Sequence, residues 1–227
     1  GFEEGPISSS SFIIGPGFTM PVFSLTTDPL NFWDDEIGIY VVGTNGIPGN
    51  CTDVPVNWNQ DWERPLSFEY FDLTGKRTIQ QDVGVKMHGA CSRTAPMKSL
   101  ALFARGRYGS SSMDFPFFSD KPEIGAYKGL ILRNSGSDNQ YTMFRDAMIQ
   151  SVVWPKMNVD YQGYEMVRVF LNGEFFGIYN LREKTNEHWV ASNYGLDPGE
   201  IDFIKVDTKK SQAFAGSIDA YDSLQHF

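Results

Sequence analysis

The sequence predicts an α+β fold: a mixed or antiparallel sheet with one long packed helix. Three observations carry this. Residues 164–184, YEMVRVFLNGEFFGIYNLREK, read as two strands around Asn172-Gly173, a pair suited to the two positive φ angles of a type I′ turn. Three further runs, LSFEYFD from Leu66, VGVKMH from Val83 and KSLALFAR from Lys98, are short, apolar and bounded by turn residues. Residues Asp138 to Val153 read as a helix, with Asp138 as N-cap, Met143, Ala147 and Val153 on one stripe, Phe144 and Met148 extending it, and Pro155 stopping it.

With the turn fixed, Leu171 faces Glu174, Val169 faces Phe176 and Val167 faces Ile178. Both faces of this hairpin are largely apolar, so it is expected to be covered on both sides. Residues 1–19 read as a tail, with Ser8 to Ser11 and Gly15-Pro16-Gly17 giving little periodicity. Met20 to Thr26 is a strand, Leu30 to Glu36 a helical turn capped by Asp28, and Ile39 to Val42 another strand. Gly43 to Asp61 is a long polar loop. The strands at Leu66 and Val83 are joined across Leu73-Thr74-Gly75-Lys76. Gly106 to Lys121 is irregular, and Gly129 to Arg133 is a strand. Asn186 to Tyr194 forms a short helix closed by Gly195, Ile201 to Val206 a strand, and Ser217 to Phe227 opens a helix that the sequence leaves unfinished. Residues 20–227 are expected to form one domain, incomplete at its C-terminal end.

Composition narrows the function classes. A hydrophobic content of 41% with 15% aromatics excludes a disordered chain, and a net charge of −9 argues against a nucleic-acid or anionic-membrane partner. No apolar run reaches the roughly 18 residues of a membrane span, and the N-terminus lacks a signal-peptide pattern. Cys51 and Cys91 can pair in an oxidising compartment or remain as two thiols. Asn50-Cys51-Thr52 fits a glycosylation sequon.

One loop stands out chemically. His88 to Lys98, HGACSRTAPMK, combines Gly89, which permits close backbone approach, the Ser92 hydroxyl, and the charges of Arg93 and Lys98 with no acid nearby. Phosphate binding needs those groups, although no GxxxxGK[ST] or GxGxxG motif frames them. The histidines His88, His188 and His226 are scattered and no CxxC occurs, so no metal ligands are assigned. No GxSxG elbow supports a hydrolase, and Cys91 with His88 on one turn makes a poor nucleophile and base. The acids Asp138 and Asp146 read as structural partners of Arg133 and Arg145, fixing the helix to the sheet.

Several segments in order resemble the CotH family of secreted atypical protein kinases, named for a spore-coat protein. They are MPVFSLTTDPLNFWDDEIGIYV, WERPLSFEYFD, DVGVKMHGACSRTAPMKSLALFAR, KGLILRNSGSD, FRDAMIQSVV and VRVFLNGEFFGIYNLREK. The resemblance implies the nucleotide-binding N-terminal lobe of a kinase-like fold, using ATP with Mg or Mn to phosphorylate serines of a protein substrate. It also implies a place outside the cytoplasm, secreted or at the cell envelope. By that analogy Lys98 meets the α/β phosphates, Gly89, Ser92 and Arg93 border them, and backbone groups from Leu181 to Glu183 face adenine. The sequence departs from the pattern in two places: the long helix carries no Glu for Lys98, and Met97-Lys98 stands where relatives often have two lysines. In the family the catalytic and metal-binding aspartates follow the hairpin, and nothing between Ile201 and Phe227 matches them. Asp207, Asp219 and Asp222 are acids without a matching motif, so the catalytic residues stay unassigned and phosphate transfer by this chain is not expected. The competing reading is a non-catalytic extracellular, cell-surface or coat interaction module, presenting Trp33, Trp58, Trp62 and Phe115 to Phe118.

Overall fold

A computed structural model of the protein describes residues 9–12, 18–49, 51–206 and 211–225. The chain divides into two compact units, Gly1–Arg182 and Glu183–Phe227. The first unit runs through β1 (Val22–Thr26), α1 (Leu30–Trp33), β2 (Ile47–Gly49), β3 (Thr52–Val56), β4 (Arg64–Phe71) and β5 (Arg77–His88). It continues with β6 (Ser99–Phe103), β7 (Met113–Asp114), β8 (Ala126–Tyr127), β9 (Gly129–Arg133), α2 (Arg145–Val153), β10 (Tyr164–Leu171) and β11 (Glu174–Glu183), whose last residue opens the second unit.

The sheet is mixed, as expected, and it closes on itself in the order β1-β10-β11-β9-β6-β5-β4. β1 lies parallel to β10 and antiparallel to β4, so the first strand bridges the hairpin and the meander. Alternate residues supply the interior: Phe23 and Leu25, Val83, Val85 and Met87, Leu100 and Leu102, Leu130 and Leu132, Val167, Val169 and Leu171. This is the period-2 pattern of strands with one face turned into a barrel, and closure leaves no unpaired edge among these strands. Each fully buried aliphatic side chain contributes about 1.5–3 kcal/mol, so the barrel interior is the main source of this unit's stability.

The hairpin turn is as read, with φ of 51° at Asn172 and 85° at Gly173. Leu171 faces Glu174, but a bulge then shifts the register, so Val169 pairs with Gly177 and Val167 with Tyr179, not Ile178. One extra residue moves everything beyond it to the other face. Tyr179 and Leu181 therefore join the interior with Val167 and Val169, while Phe175 and Ile178 point outward, 60% and 37% exposed. The expected cover on both faces is thus absent near the tip. Gly177, at φ +152°, suits the bulge; a Cβ there would meet Met97 Sδ at 3.0 Å.

The long helix is shorter than predicted. It spans nine residues, Arg145–Val153. Ser135 and Met143 adopt left-handed φ angles of 70° and 64°, which break any continuous helix through residues 135–144. Asp138 still caps from a distance: its carboxylate accepts from the Arg145 N–H at 3.1 Å and from Thr142 Oγ1 at 2.6 Å. Of the expected stripe, Ala147 is buried and Met143 and Val153 are half-buried, whereas Phe144 and Met148, which were to extend it, are exposed, as are Ile149 and Val152.

Other differences are local. Residues 39–42 are irregular, and the stretch from 43 to 61 folds into the β2–β3 hairpin and a 3-10 turn, Asn57–Asn59. Phe117 and Phe118 belong to the core, with Phe115, Trp58 and Trp62 packed against it, so most of the aromatics read as surface candidates are interior; Trp33 is 47% exposed. Cys51 and Cys91 form a disulfide with Cα atoms 5.2 Å apart, which decides between the two alternatives. Asn50 of the sequon lies outside the described residues.

The second unit contains α3 (Glu187–Tyr194), β12 (Phe203–Val206), β13 (Ser211–Ala215) and α4 (Asp219–Gln225). Asn186 caps α3 by accepting from the Trp189 N–H, and Gly195 closes it at φ +67°. β12 and β13 pair as an antiparallel ribbon, a strand partner that the sequence pattern does not announce. Among the described residues no helix is long and apolar enough to cross a membrane.

Candidate anion site at the His88–Lys98 loop

The loop leaves β5 at His88 and turns at Gly89, whose φ of +102° disfavours a side chain; a Cβ there would sit 2.3 Å from Ser92 Oγ. Cys91–Thr94 form a 3-10 turn tied by the disulfide to the start of β3. Asn134, fully buried at the end of β9, holds the return. Its amide donates to the carbonyls of Met97 at 2.6 Å and Ser92 at 3.3 Å, and its Oδ1 accepts from Ser99 Oγ at 2.8 Å.

Lys98 stands at the entrance to β6 with its main chain held on both sides. Its N–H donates to Tyr40 Oη at 2.8 Å, and its carbonyl accepts from Tyr179 Oη at 3.2 Å. The side chain is 4% exposed. Nζ donates to the Ala95 carbonyl at 2.8 Å and lies 4.0 Å from the Trp58 ring centroid and 5.5 Å from that of Tyr40. Among the described residues no carboxylate comes within ion-pair distance of it. Burial pulls the ammonium down to about 8 from its ordinary 10.5.

Arg93 converges on the same tryptophan. Its Nη1 donates to the Trp58 carbonyl at 3.1 Å and Nη2 to that of Met87 at 3.2 Å, while Nε is buried without a partner. Burial holds the guanidinium below its ordinary value and the charge of Asp61 works against that. The Asp61 carboxylate is itself exposed and bonded to Lys86 at 2.9 Å.

The sequence-predicted residues are therefore divided. Ser92 lines an open cleft of about 580 Å³ between residues 90–96 and 136–140, with Arg133 in its wall; Lys98 and Arg93 do not line it. Arg133 pairs with Asp146 and Arg145 with Asp138, so both acids of the helical region serve the structural role read from the sequence, and neither reaches Lys98. Leu181 is fully buried in the barrel core. Glu183, in the second unit, accepts from Trp189 Nε1 at 3.0 Å and Asn193 Nδ2 at 3.2 Å, anchoring α3 within that unit. Neither side chain is presented as a ligand contact.

Tyr40, Trp58, Asn134 and Tyr179 complete the surroundings of Lys98, and the sequence singled out none of them for this role. The alternation of Tyr179 with Leu181 was the available signal for Tyr179, once the bulge is known. Trp58 was visible only as an aromatic in a loop. No group of three or more His, Cys, Asp or Glu side chains that could hold a divalent ion gathers among the described residues. Asp219 and Asp222 are exposed on α4, and Asp207 and His226 lie outside the described residues. Phosphoryl oxygens do fit the loop, since its buried donors carry positive charge and lack a carboxylate.

No curated protein matches the chain. A family model, that of the CotH kinase proteins, matches residues 85–225, well over half of the sequence. The matched stretch enters in β5 and takes in the Gly89–Lys98 loop, Asn134 and the central hairpin, and on this ground the chain belongs to the CotH kinase protein family.

Proposed function

We propose that residues 20–227 are the nucleotide-binding part of a CotH-type secreted protein kinase, which takes ATP with Mg or Mn and passes phosphate to serines of a protein substrate. The observation that carries the reading is Lys98, a buried ammonium with one hydrogen bond and no carboxylate partner among the described residues. Burying such a charge costs several kcal/mol, and a ligand anion is what offsets that cost. Gly89, Ser92 and Arg93 are the proposed neighbours of the phosphates. Leu181 and Glu183, whose side chains are occupied, are proposed for adenine through their main chain alone. The Cys51–Cys91 disulfide supports an oxidising compartment and so a secreted or envelope location. No residue here is assigned as the catalytic acid or a metal ligand, so this chain is proposed to bind nucleotide without transferring phosphate by itself.

Calorimetric titration with ATP, with and without Mg²⁺ or Mn²⁺, tests the reading beside Lys98→Ala. Saturable binding that weakens in the variant is expected. Absence of binding, or binding indifferent to Lys98, would overturn it in favour of an extracellular or coat interaction module. Phosphate transfer by this chain would sink the claim of catalytic incompleteness.

A further inference from the structure

Trp58 is the point on which both cations of the loop converge, through its carbonyl to Arg93 and its ring to Lys98. Its own indole Nε1–H is buried with no hydrogen-bond partner, and so is Arg93 Nε. The Lys98 ammonium has three N–H donors and makes a single hydrogen bond, to the Ala95 carbonyl. A buried donor left unpaired costs about 1–3 kcal/mol, and native folds leave few of them. Two of them, on Arg93 and the indole, occur here beside the singly bonded Lys98 ammonium; the other unpaired donors among the described residues lie on Gln81 and Arg182. The acid that acts on Arg93, Asp61, is spent on Lys86 in solvent.

Water could satisfy some of these donors, but it would leave two positive charges uncompensated. We propose that Lys98, Arg93 and Trp58 form a site for one tetrahedral oxyanion of the phosphate class, with the Trp58 indole N–H as a ligand. A tetrahedral anion offers acceptors in several directions at once, which suits donors from an amine, a guanidinium and an indole. Arg93 and Trp58 are half-buried as residues, although their two unpaired donor atoms are themselves buried. The indole is held in advance of binding. Asn57, fully buried beside it, donates to the carbonyls of Asp35 at 3.0 Å and Gly38 at 3.1 Å, and the disulfide ties the start of β3 a few residues earlier. Such preorganisation reduces the entropy lost on binding. Trp58 lies outside residues 85–225, the stretch that the family model matches. The inference deepens the nucleotide reading and rests on it only for the source of the anion, free phosphate or the phosphoryl end of a nucleotide.

The test follows the indole N–H signals of the ¹⁵N-labelled, disulfide-intact protein, which has five tryptophans, during titration with inorganic phosphate, AMP and ATP. The Trp58 signal, identified by its absence in Trp58→Phe, is expected to move and saturate with phosphate. The Trp58→Phe variant should bind phosphate about tenfold or more weakly, because it loses a hydrogen bond to a charged group, and Lys98→Met should abolish binding. An indole set that phosphate leaves unmoved overturns the proposal, as does undiminished affinity in Trp58→Phe; if that variant does not fold, the wild-type spectrum decides alone. Lys98-dependent ATP binding without an indole shift overturns this site and leaves the nucleotide reading standing. A phosphate-induced shift without ATP binding supports the site and removes the nucleotide reading.

Discussion

Replacing Lys98 with methionine should stabilise the fold at neutral pH while destroying its capacity for anions. The folded state holds the ammonium near 8 against an ordinary value of 10.5, a displacement equivalent to roughly 3 kcal/mol at pH 7. Methionine is unbranched, one heavy atom shorter, and carries no charge to desolvate. It forfeits the hydrogen bond to Ala95 and the contact with the Trp58 ring, together about 1–2 kcal/mol. The net expectation is a gain of about 1–2 kcal/mol for the variant at pH 7.

The pH dependence gives that expectation its sign. Below pH 8 the amine is protonated in both folded and unfolded chains, so the cost is constant and fully present. Between pH 8 and 10.5 the folded chain releases its proton while the unfolded chain keeps it, so the wild-type protein gains stability as pH rises. The advantage of Lys98→Met therefore shrinks across that window and changes sign near its top, where a neutral amine still bonds to Ala95. Urea midpoints followed by far-UV circular dichroism at pH 7, 8.5 and 10, with the disulfide intact, measure it. A difference between the two proteins that does not change with pH would refute the buried-charge argument, and so would a variant that is less stable at pH 7 than wild type.

Three further outcomes are expected. Asn134→Ala strands the carbonyls of Met97 and Ser92 and the Ser99 hydroxyl; a loss of roughly 3 kcal/mol in chemical denaturation is expected, with weaker phosphate binding, and a loss below about 1 kcal/mol would show that this residue does not hold the loop. Gly89→Ala places a Cβ at φ +102° and 2.3 Å from Ser92 Oγ; it should cost about 1–3 kcal/mol, and an unchanged Tm would contradict the turn geometry. Reducing the Cys51–Cys91 bond, which spans a sequence separation of 40, should lower stability by up to about 4 kcal/mol. It should also weaken phosphate binding, because it frees the turn that carries Arg93; affinity unchanged by reduction would separate the disulfide from the site.

The parts of this molecule legible in its sequence are those set by neighbours in the chain. The Asn172-Gly173 turn, the strands at residues 22–26, 64–71 and 129–133, and the caps of α3 all follow from local rules, and the structure has them. The errors occur where distant segments decide. Nothing local announces that β1 lies beside β10, and this pairing is what closes the barrel. The bulge beside Gly177 was hidden for a related reason: the glycine is visible, but the extra residue shows only in how the two folded strands pair.

The site has the same character. Gly89, Ser92, Arg93 and Lys98 are contiguous enough to attract notice as phosphate-binding chemistry. What gives Lys98 its unusual state is Tyr40, Trp58 and Tyr179, three residues from separate segments brought to it by the folded unit. A peptide of residues 85–105 would carry the same cations in water, with an ordinary lysine and no indole beside it. The unmade hydrogen bonds that argue for an anion exist only after the barrel has formed around them. The proposed capacity to bind an anion is therefore coupled to folding.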